Sequence, residues 1–600
     1  MRARLGGLRA LGVGIWRRFF PSPDRSPTRV LRPPAVLPRL GSPGPGGVWV
    51  PILLAVTAGF VLWPASITPW ELYAGGTPDL PGNVAHHWMI QTRGLAAATH
   101  NRMQMYPCSI DFVVLLGFPL DVYTAWPFVA VFGRSAGFTL WQVASLWAAG
   151  CAMAWLAARW WRSHSAGLVA GVAYQCAPVI TWGMDEGRFM EVVGAAFIPL
   201  SLGLFARSLV SGRRWEAVVG GACLGFAALS YWFFGFFVVL ALGVLLLLAK
   251  VERRPVLRPA SLALVGILLV AGLPLAYTLL GASILPAIDL SSGSKIQIGG
   301  QMARVADVIE LRALTFSSMV MGHFRPGPLA MGLALLGVVG MRTRRWAAPL
   351  CWIGLAVWLA TGLWIKLPGD QPLPGAFHLF DHLPMLKRYW WPNRILYIAS
   401  PAIALLIAGG AVRLPRASHV PLVAVILAAL LLAEAFVVQR QLPLTTSSNQ
   451  TTAVAKVLSE REGPVLLLPI PSGELRRNMA SLLDQPVHGR PMVSSMMPPT
   501  EAMAPAPYQQ LFQRPGLAHL VACEQDSDVA LLVSQEEANS DLHDIGVAEV
   551  YVEEDFLVGQ HDQALLDPSE VDAYFACIER MLGSDYELRG PLRIYPVSAG

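Results

Sequence analysis

Apolar stretches such as VVLALGVLLLLA (238–249) and PLVAVILAALLLAEAFVV (421–438) recur along this chain. A soluble core can bury a few short runs of this kind, but not about ten in one molecule. Composition agrees. Only 14% of the 600 residues are charged and 54% are hydrophobic, whereas soluble domains carry about 25% charged residues. The chain is therefore read as a polytopic α-helical membrane protein.

Orientation follows from the basic residues. Residues 1–46 hold nine arginines, no lysine and one acid, Asp24, interspersed with Pro, Gly and Ser. Such a segment builds no packed core. It reads as a disordered cytoplasmic tail that obeys the positive-inside rule, in preference to a nucleic-acid-binding arm. A cleaved signal peptide is disfavoured because Arg17 and Arg18 interrupt any apolar core there.

With that end inside, the spans can be walked by parity. The first is 48–64, followed by a first outer loop at 65–110. Residues 112–132 are apolar but contain Pro119, Asp121 and Pro127. A carboxylate at mid-membrane costs roughly 2.5–3.5 kcal/mol, so this piece is expected to be re-entrant or interfacial. Spans follow at 137–158, 166–183 and 189–206. The run 216–249 is too long for one helix across ~30 Å of hydrocarbon, and SYWFFG (230–235) is the expected turn. Further spans are 260–281, 324–341, 346–365, 394–412 and 419–437. Each short Arg-rich loop then falls on one face, which gives eleven spans with the N-terminus in and the C-terminus out.

From residue 439 the pattern changes to short helices and strands, such as GPVLLLPIP and PLRIYPV. Residues 439–600 are expected to form a soluble extracytoplasmic α/β domain beyond a transmembrane domain at 47–438. Seven cysteines show no metal-ligand spacing. Cys523 and Cys577 would lie in an oxidising compartment, where they could pair, although spacing alone does not show it.

The outer loops supply the candidate chemistry. In GGTPDLPGNVAHHWMIQTR (75–93), Pro81 suits the first turn of a helix. Asp79 just before it could accept a proton or hold a cation, or simply cap the helix. His86 and His87 point about 100° apart on a helix, so one metal would not take both. The turn WGMDEGRFME carries Asp185, Glu186, Arg188 and Glu191, either a solvated surface ion pair or part of a polar cavity. In FDHLPMLKRYWWPNR, Arg388 and Arg394 flank aromatic residues. They suit a phosphate, which Arg binds in a bidentate way, or an interfacial anchor. Loop 282–323 has no readable motif, and Glu434 near an outer helix end can snorkel or line a cavity. No P-loop, HExxH or nucleophile elbow is present.

Taken together, GNVAHHWMI, YPCSIDFVVLLGFPLDVYTAWPFVAVFG, AGLVAGVAYQCAPVITWGMDEGRFMEVVGAAFIPLSL and LPMLKRYWWPNRILYIASPAIALLIAGGA resemble the GT-C superfamily of polytopic glycosyltransferases, and within it a large bacterial group. The resemblance covers most of the chain and implies a multi-pass protein of the bacterial cytoplasmic membrane. It implies transfer of a sugar from a polyprenyl-phosphate-linked donor to a glycan, lipid or protein acceptor of the cell envelope, on the outer face, without nucleic acid. The family's first-loop acid is a base toward the acceptor or, in some members, a metal ligand, so a divalent cation is an implied cofactor option. That role falls on Asp79. Relatives often have Gly-Asp where this chain has Gly82-Asn83, and an asparagine cannot serve as a base. Asn83, His86, His87, Arg188, Arg388 and Arg394 are the implied substrate-binding residues, the arginines steadying the donor phosphate. The departure at Asn83 also admits a non-catalytic GT-C-like protein that binds or moves lipid-linked glycan and recruits partners.

Overall fold

The computed structural model describes Leu40 and residues 47–76, 79–281, 295–298, 301–304, 326–339, 346–362, 364–365, 373–376, 392–414, 421–439, 442–469, 481–494, 504–523, 533–554, 557 and 568–598. Arg388 and most of loop 282–323 lie outside these. The described residues fall within one compact unit.

The helical part begins with α1 (Trp49–Val61), the short strand β1 (Leu72–Ala74) and α2 (Asp79–Arg93). It continues through α3 (Leu120–Phe132), α4 (Arg134–Trp161), α5 (His164–Gln175), α6 (Pro178–Asp185), α7 (Phe189–Ser211), α8 (Arg214–Ser230), α9 (Trp232–Val251) and α10 (Leu257–Gly281). After these come α11 (Pro328–Val339), α12 (Ala347–Ala360), α13 (Leu396–Ala411) and α14 (Pro421–Val438). Among the described residues six helical stretches are long and apolar enough to cross a membrane: α4, α7, α9, α10, Pro392–Ala411 and α14. Four shorter apolar helices, α1, α3, α11 and α12, accompany them.

The breaks have local causes. The apolar stretch 166–183 is two helices, not one, because Ala177 takes an extended conformation before Pro178. Proline removes a backbone donor and pushes its predecessor out of the helical region. The run 216–249 divides at Tyr231, which is also extended and falls within the SYWFFG turn. The 13-residue α3 has Pro127 inside it and Asp121 in its first turn. Its Asp121 is buried against His87 at 2.8 Å, so the carboxylate has a partner on another element.

Small residues let the helices touch. A Cβ on Gly221 of α8 would lie 1.9 Å from the Ala263 carbonyl of α10, and one on Gly266 of α10 would lie 2.0 Å from the Val218 carbonyl. The same reciprocal contact joins α11 and α13, through Gly337 to Leu406 and Gly410 to Leu333. Without a hydrophobic force between helices in lipid, such backbone proximity is what holds them together. Gly221→Val should force α8 from α10 and cost about 1–3 kcal/mol or more, read as a lower melting temperature of the detergent-purified protein. By contrast, α10 exposes Leu268, Leu269, Leu273 and Leu280, an apolar face suited to lipid rather than water.

The C-terminal residues add β2 (Thr446–Ser448), β3 (Leu466–Leu468), β4 (Glu549–Glu553), α15 (Pro568–Leu582), β5 (Glu587–Arg589) and β6 (Leu592–Pro596). A four-stranded sheet has the order β3-β4-β6-β5, with β3 parallel to β4 and the other pairs antiparallel. Cys523 and Cys577 form a disulfide that joins this region to α15. Its core is continuous with the first loop: Met89, Ile90, Met103, Met105 and Phe112 pack in the same apolar cluster as Val550, Val552 and Ile578. The loop is fastened a second time by antiparallel pairing of β1 with β2, Leu72 opposite Ser448.

Candidate active site

Three distant pieces of sequence meet at the start of α2. The turn between α6 and α7 is the platform. Gly187 there has φ +78°, and a Cβ on it would sit 2.4 Å from the Leu80 amide nitrogen. Only glycine accepts both the left-handed backbone and that approach. The Asp79 amide donates to the Glu186 carbonyl (3.2 Å) and the Gly76 amide to the Asp185 carbonyl (2.8 Å). Asn83 donates its side-chain amide to the Gly187 carbonyl at 2.7 Å. Asn83 is thus a buried strut between α2 and the turn, a role that an amide donor fills and an ionised acid would not.

This docking sets Asp79 at 3.9 Å from Arg188. Arg188 also pairs with Glu186, and its Nε lies 3.3 Å from Glu191 Oε1. The Nε of Arg394 approaches the same Glu191 oxygen at 3.3 Å. Arg394 Nη1 donates to the Tyr231 hydroxyl at 2.5 Å, and the Arg188 guanidinium lies 3.9 Å from the Trp182 ring centre. The surface-pair reading of the WGMDEGRFME turn does not hold: Arg188 is 3% exposed and Glu191 fully buried. Buried charges persist only when paired, and here three carboxylates face two guanidiniums.

Like Glu186 with 29%, and unlike the buried Glu191, Asp79 has access, with 30% of its side chain open. Enclosure by protein raises its carboxyl to about 6; Arg188 and Arg394 pull it down, while Glu186 and Glu191 push it up. A carboxylate so placed is ionised at neutral pH yet basic enough to take a proton. Asp79 and Glu186 are both engaged by Arg188, and among the described residues no three His, Cys, Asp or Glu side chains are grouped to hold a metal ion. The described donor set therefore does not fit a divalent cation.

The histidines go elsewhere. His86 stacks on Phe112, and burial lowers its imidazole to about 4, so it is neutral. His87 pairs with Asp121 and packs on Phe138 and Trp141. His87 thus joins α2 to α3, and His86 packs on the segment that precedes α3. Arg388 lies outside the described residues. Tyr231, Trp182 and Tyr397 escape a sequence reading; the one available signal is the aromatic at the 230–235 helix break, which places Tyr231 at a helix end. Glu434 accepts from the backbone amides of Leu329 and Ala330 and, with Gln439 and Leu396, lines an otherwise apolar cavity of about 140 Å³.

No family model matches the sequence, and no curated protein is similar to it. Solved structures are. Arabinofuranosyltransferase AftD from Mycobacteria superposes with a TM-score of 0.56 at 14% identity, over 94% of this chain and 42% of AftD. The chain thus spans about two fifths of the length of that relative. ArnT from Cupriavidus metallidurans, solved with undecaprenyl phosphate, gives 0.46 at 14% identity over 92% of this chain and 98% of ArnT. Oligosaccharyltransferase AglB from Archaeoglobus fulgidus, solved with an inhibitory peptide and a dolichol-phosphate, gives 0.45 at 11% identity over 92% of this chain and 74% of AglB. With the AftD match spanning nearly all of its length, the chain is a membrane protein of the GT-C glycosyltransferase fold.

Proposed function

We propose that this protein transfers a sugar from a polyprenyl-phosphate-linked donor to a cell-envelope acceptor at the outer face of the bacterial cytoplasmic membrane. The carrying observation is the meeting of Asp79, Arg188 and Arg394 around Glu191, from three segments far apart in sequence. The proposal includes eleven membrane passes, a cytoplasmic N-terminus and an extracytoplasmic 439–600 region. The Cys523–Cys577 disulfide supports that side, since disulfides persist in oxidising compartments.

In this reading Asp79 accepts the proton of the acceptor hydroxyl as its oxygen attacks the anomeric carbon. The bond from that carbon to the phosphate oxygen breaks, and polyprenyl phosphate leaves with the electron pair. Arg188 and Arg394 stabilise the charge that develops on it. The mostly apolar cavity that Leu396 helps to line, two residues along the chain from Arg394, suits an isoprenoid chain. Because the base must be ionised, transfer is present above the Asp79 value of about 6 and is lost as the pH falls through it. A rate–pH profile of the purified protein checks this.

The deciding experiment presents the full chain in lipid nanodiscs with polyprenyl-phosphate sugars and follows release of polyprenyl phosphate. Turnover dependent on Asp79 is the expected result. Binding of polyprenyl phosphate with no turnover of any donor would favour the second reading, a non-catalytic lipid-linked glycan binder, for which Asn83 at the acid position speaks. A tag at residue 79 or in 439–600 that reacts only from the cytosol would remove both.

A further inference from the structure

Glu191 has no solvent-accessible surface and belongs to neither the proton transfer nor the phosphate contact. Its Oε1 lies 3.3 Å from the Nε of Arg188 and 3.3 Å from the Nε of Arg394. One carboxylate oxygen therefore lies within ion-pair distance of both guanidiniums, held there by charge and enclosure, since neither Nε approach has hydrogen-bond geometry. Their Nη groups are left to face other partners: Arg188 Nη1 toward Asp79 and Glu186, Arg394 Nη1 toward Tyr231. Arg188 Nη2 is buried with no hydrogen-bond partner among the described residues.

The space around Glu191 is closed. A Cβ on Gly183 would fall 2.6 Å from the Tyr397 hydroxyl and 3.2 Å from Glu191 Oε2, so the acid and the tyrosine fill the gap that this glycine leaves. Phe234 packs on the Tyr397 ring with centroids 4.7 Å apart. An arginine side chain is long and rotamer-rich, and a fixed fork is gained only where something holds it. Electrostatics alone would argue against an acid here, because a carboxylate beside both cations weakens their pull on an anion.

We infer that Glu191 is a positioning residue, whose one oxygen locks Arg188 and Arg394 into a single two-armed receptor for the phosphate of the lipid-linked donor. The use of that receptor rests on the proposed function; the lock itself rests on the geometry of the three side chains.

Charge and position make opposite predictions for two variants. Glu191→Asp keeps the charge and loses the reach; Glu191→Gln keeps the reach and loses the charge. Sugar-free polyprenyl phosphate is titrated against the full chain in nanodiscs, by calorimetry. If Glu191 positions the arginines, both variants bind at least about tenfold more weakly than wild type. If it only balances charge, Glu191→Asp binds as wild type and Glu191→Gln binds more tightly, which overturns the inference.

A density map of either variant gives a readout that needs no ligand. Guanidiniums that move apart support the lock; unchanged Arg188 and Arg394 positions in both variants overturn it, whether or not the wild type binds the lipid. Failure of the wild type to bind polyprenyl phosphate counts against the proposed function alone. Should the acid variants fail to fold, Tyr397→Phe removes only the hydroxyl beside Glu191. Weakened binding then supports the lock, and wild-type affinity counts against it. Removal of Glu191 also deletes one of the charges that raise Asp79. The acid limb of transfer by Glu191→Gln should therefore move to lower pH.

Discussion

Asp79→Asn is expected to lower sugar transfer by roughly 10²- to 10⁴-fold, the usual contribution of a positioned base, while leaving the protein folded and lipid-bound. The amide is nearly isosteric with the carboxylate but cannot take a proton at neutral pH. The backbone bond from Asp79 to the Glu186 carbonyl does not involve the side chain, so α2 stays docked on the Gly187 turn. The charge change also favours folding: with Asp79 ionised, three carboxylates face two guanidiniums, and the variant leaves two against two. An unchanged or slightly raised melting temperature together with abolished turnover is the expected pair of results. Turnover at the wild-type rate would take Asp79 out of the chemistry.

Arg188→Ala should be the most damaging change in the cluster, because it acts on stability and chemistry together. Arg188 is 3% exposed and faces Asp79, Glu186 and Glu191. Removing one partner from a buried ion pair costs about 3–5 kcal/mol, since the remaining charge keeps its desolvation penalty. Part of that cost is relieved by protonation: Arg188 is the largest favourable influence on ionised Asp79, so its loss raises the carboxyl further. The base would then be mostly protonated at neutral pH, and the acid limb of the rate profile would move upward. Arg188→Lys should not restore activity, because an ammonium cannot reach both Glu191 and a ligand as a planar fork does, nor stack as Arg188 does on Trp182. Thermal melts and rate–pH profiles of the two variants check these outcomes. A lysine variant with wild-type turnover would show that charge alone suffices.

Much of the helical layout is a local property and was readable from the residues. The apolar runs and the break at 230–235 follow from hydropathy, length and the interruption at Tyr231. The interruption at Ala177 is equally local, although the apolar run 166–183 continues through Pro178 and suggests a single span. A proline is tolerated inside several other helices here, Pro127, Pro199, Pro274 and Pro401 among them. Whether a given proline ends a helix depends on whether neighbours supply partners for the freed backbone groups, and a sequence does not list its neighbours.

The site divides in the same way. Sequence alone determined a membrane protein of this architecture and an inventory of ionisable side chains near its helix ends, because hydropathy and charge are properties of each segment by itself. The tertiary structure decided their fates. It sent His87 to Asp121, gave Asn83 a carbonyl, and brought Arg394 to the oxygen already held by Arg188. The physical reason is the cost of burying a charge. That cost is met only by partners, and for Arg394 and Glu191 the partners lie some two hundred residues apart in the chain, where no local pattern connects them.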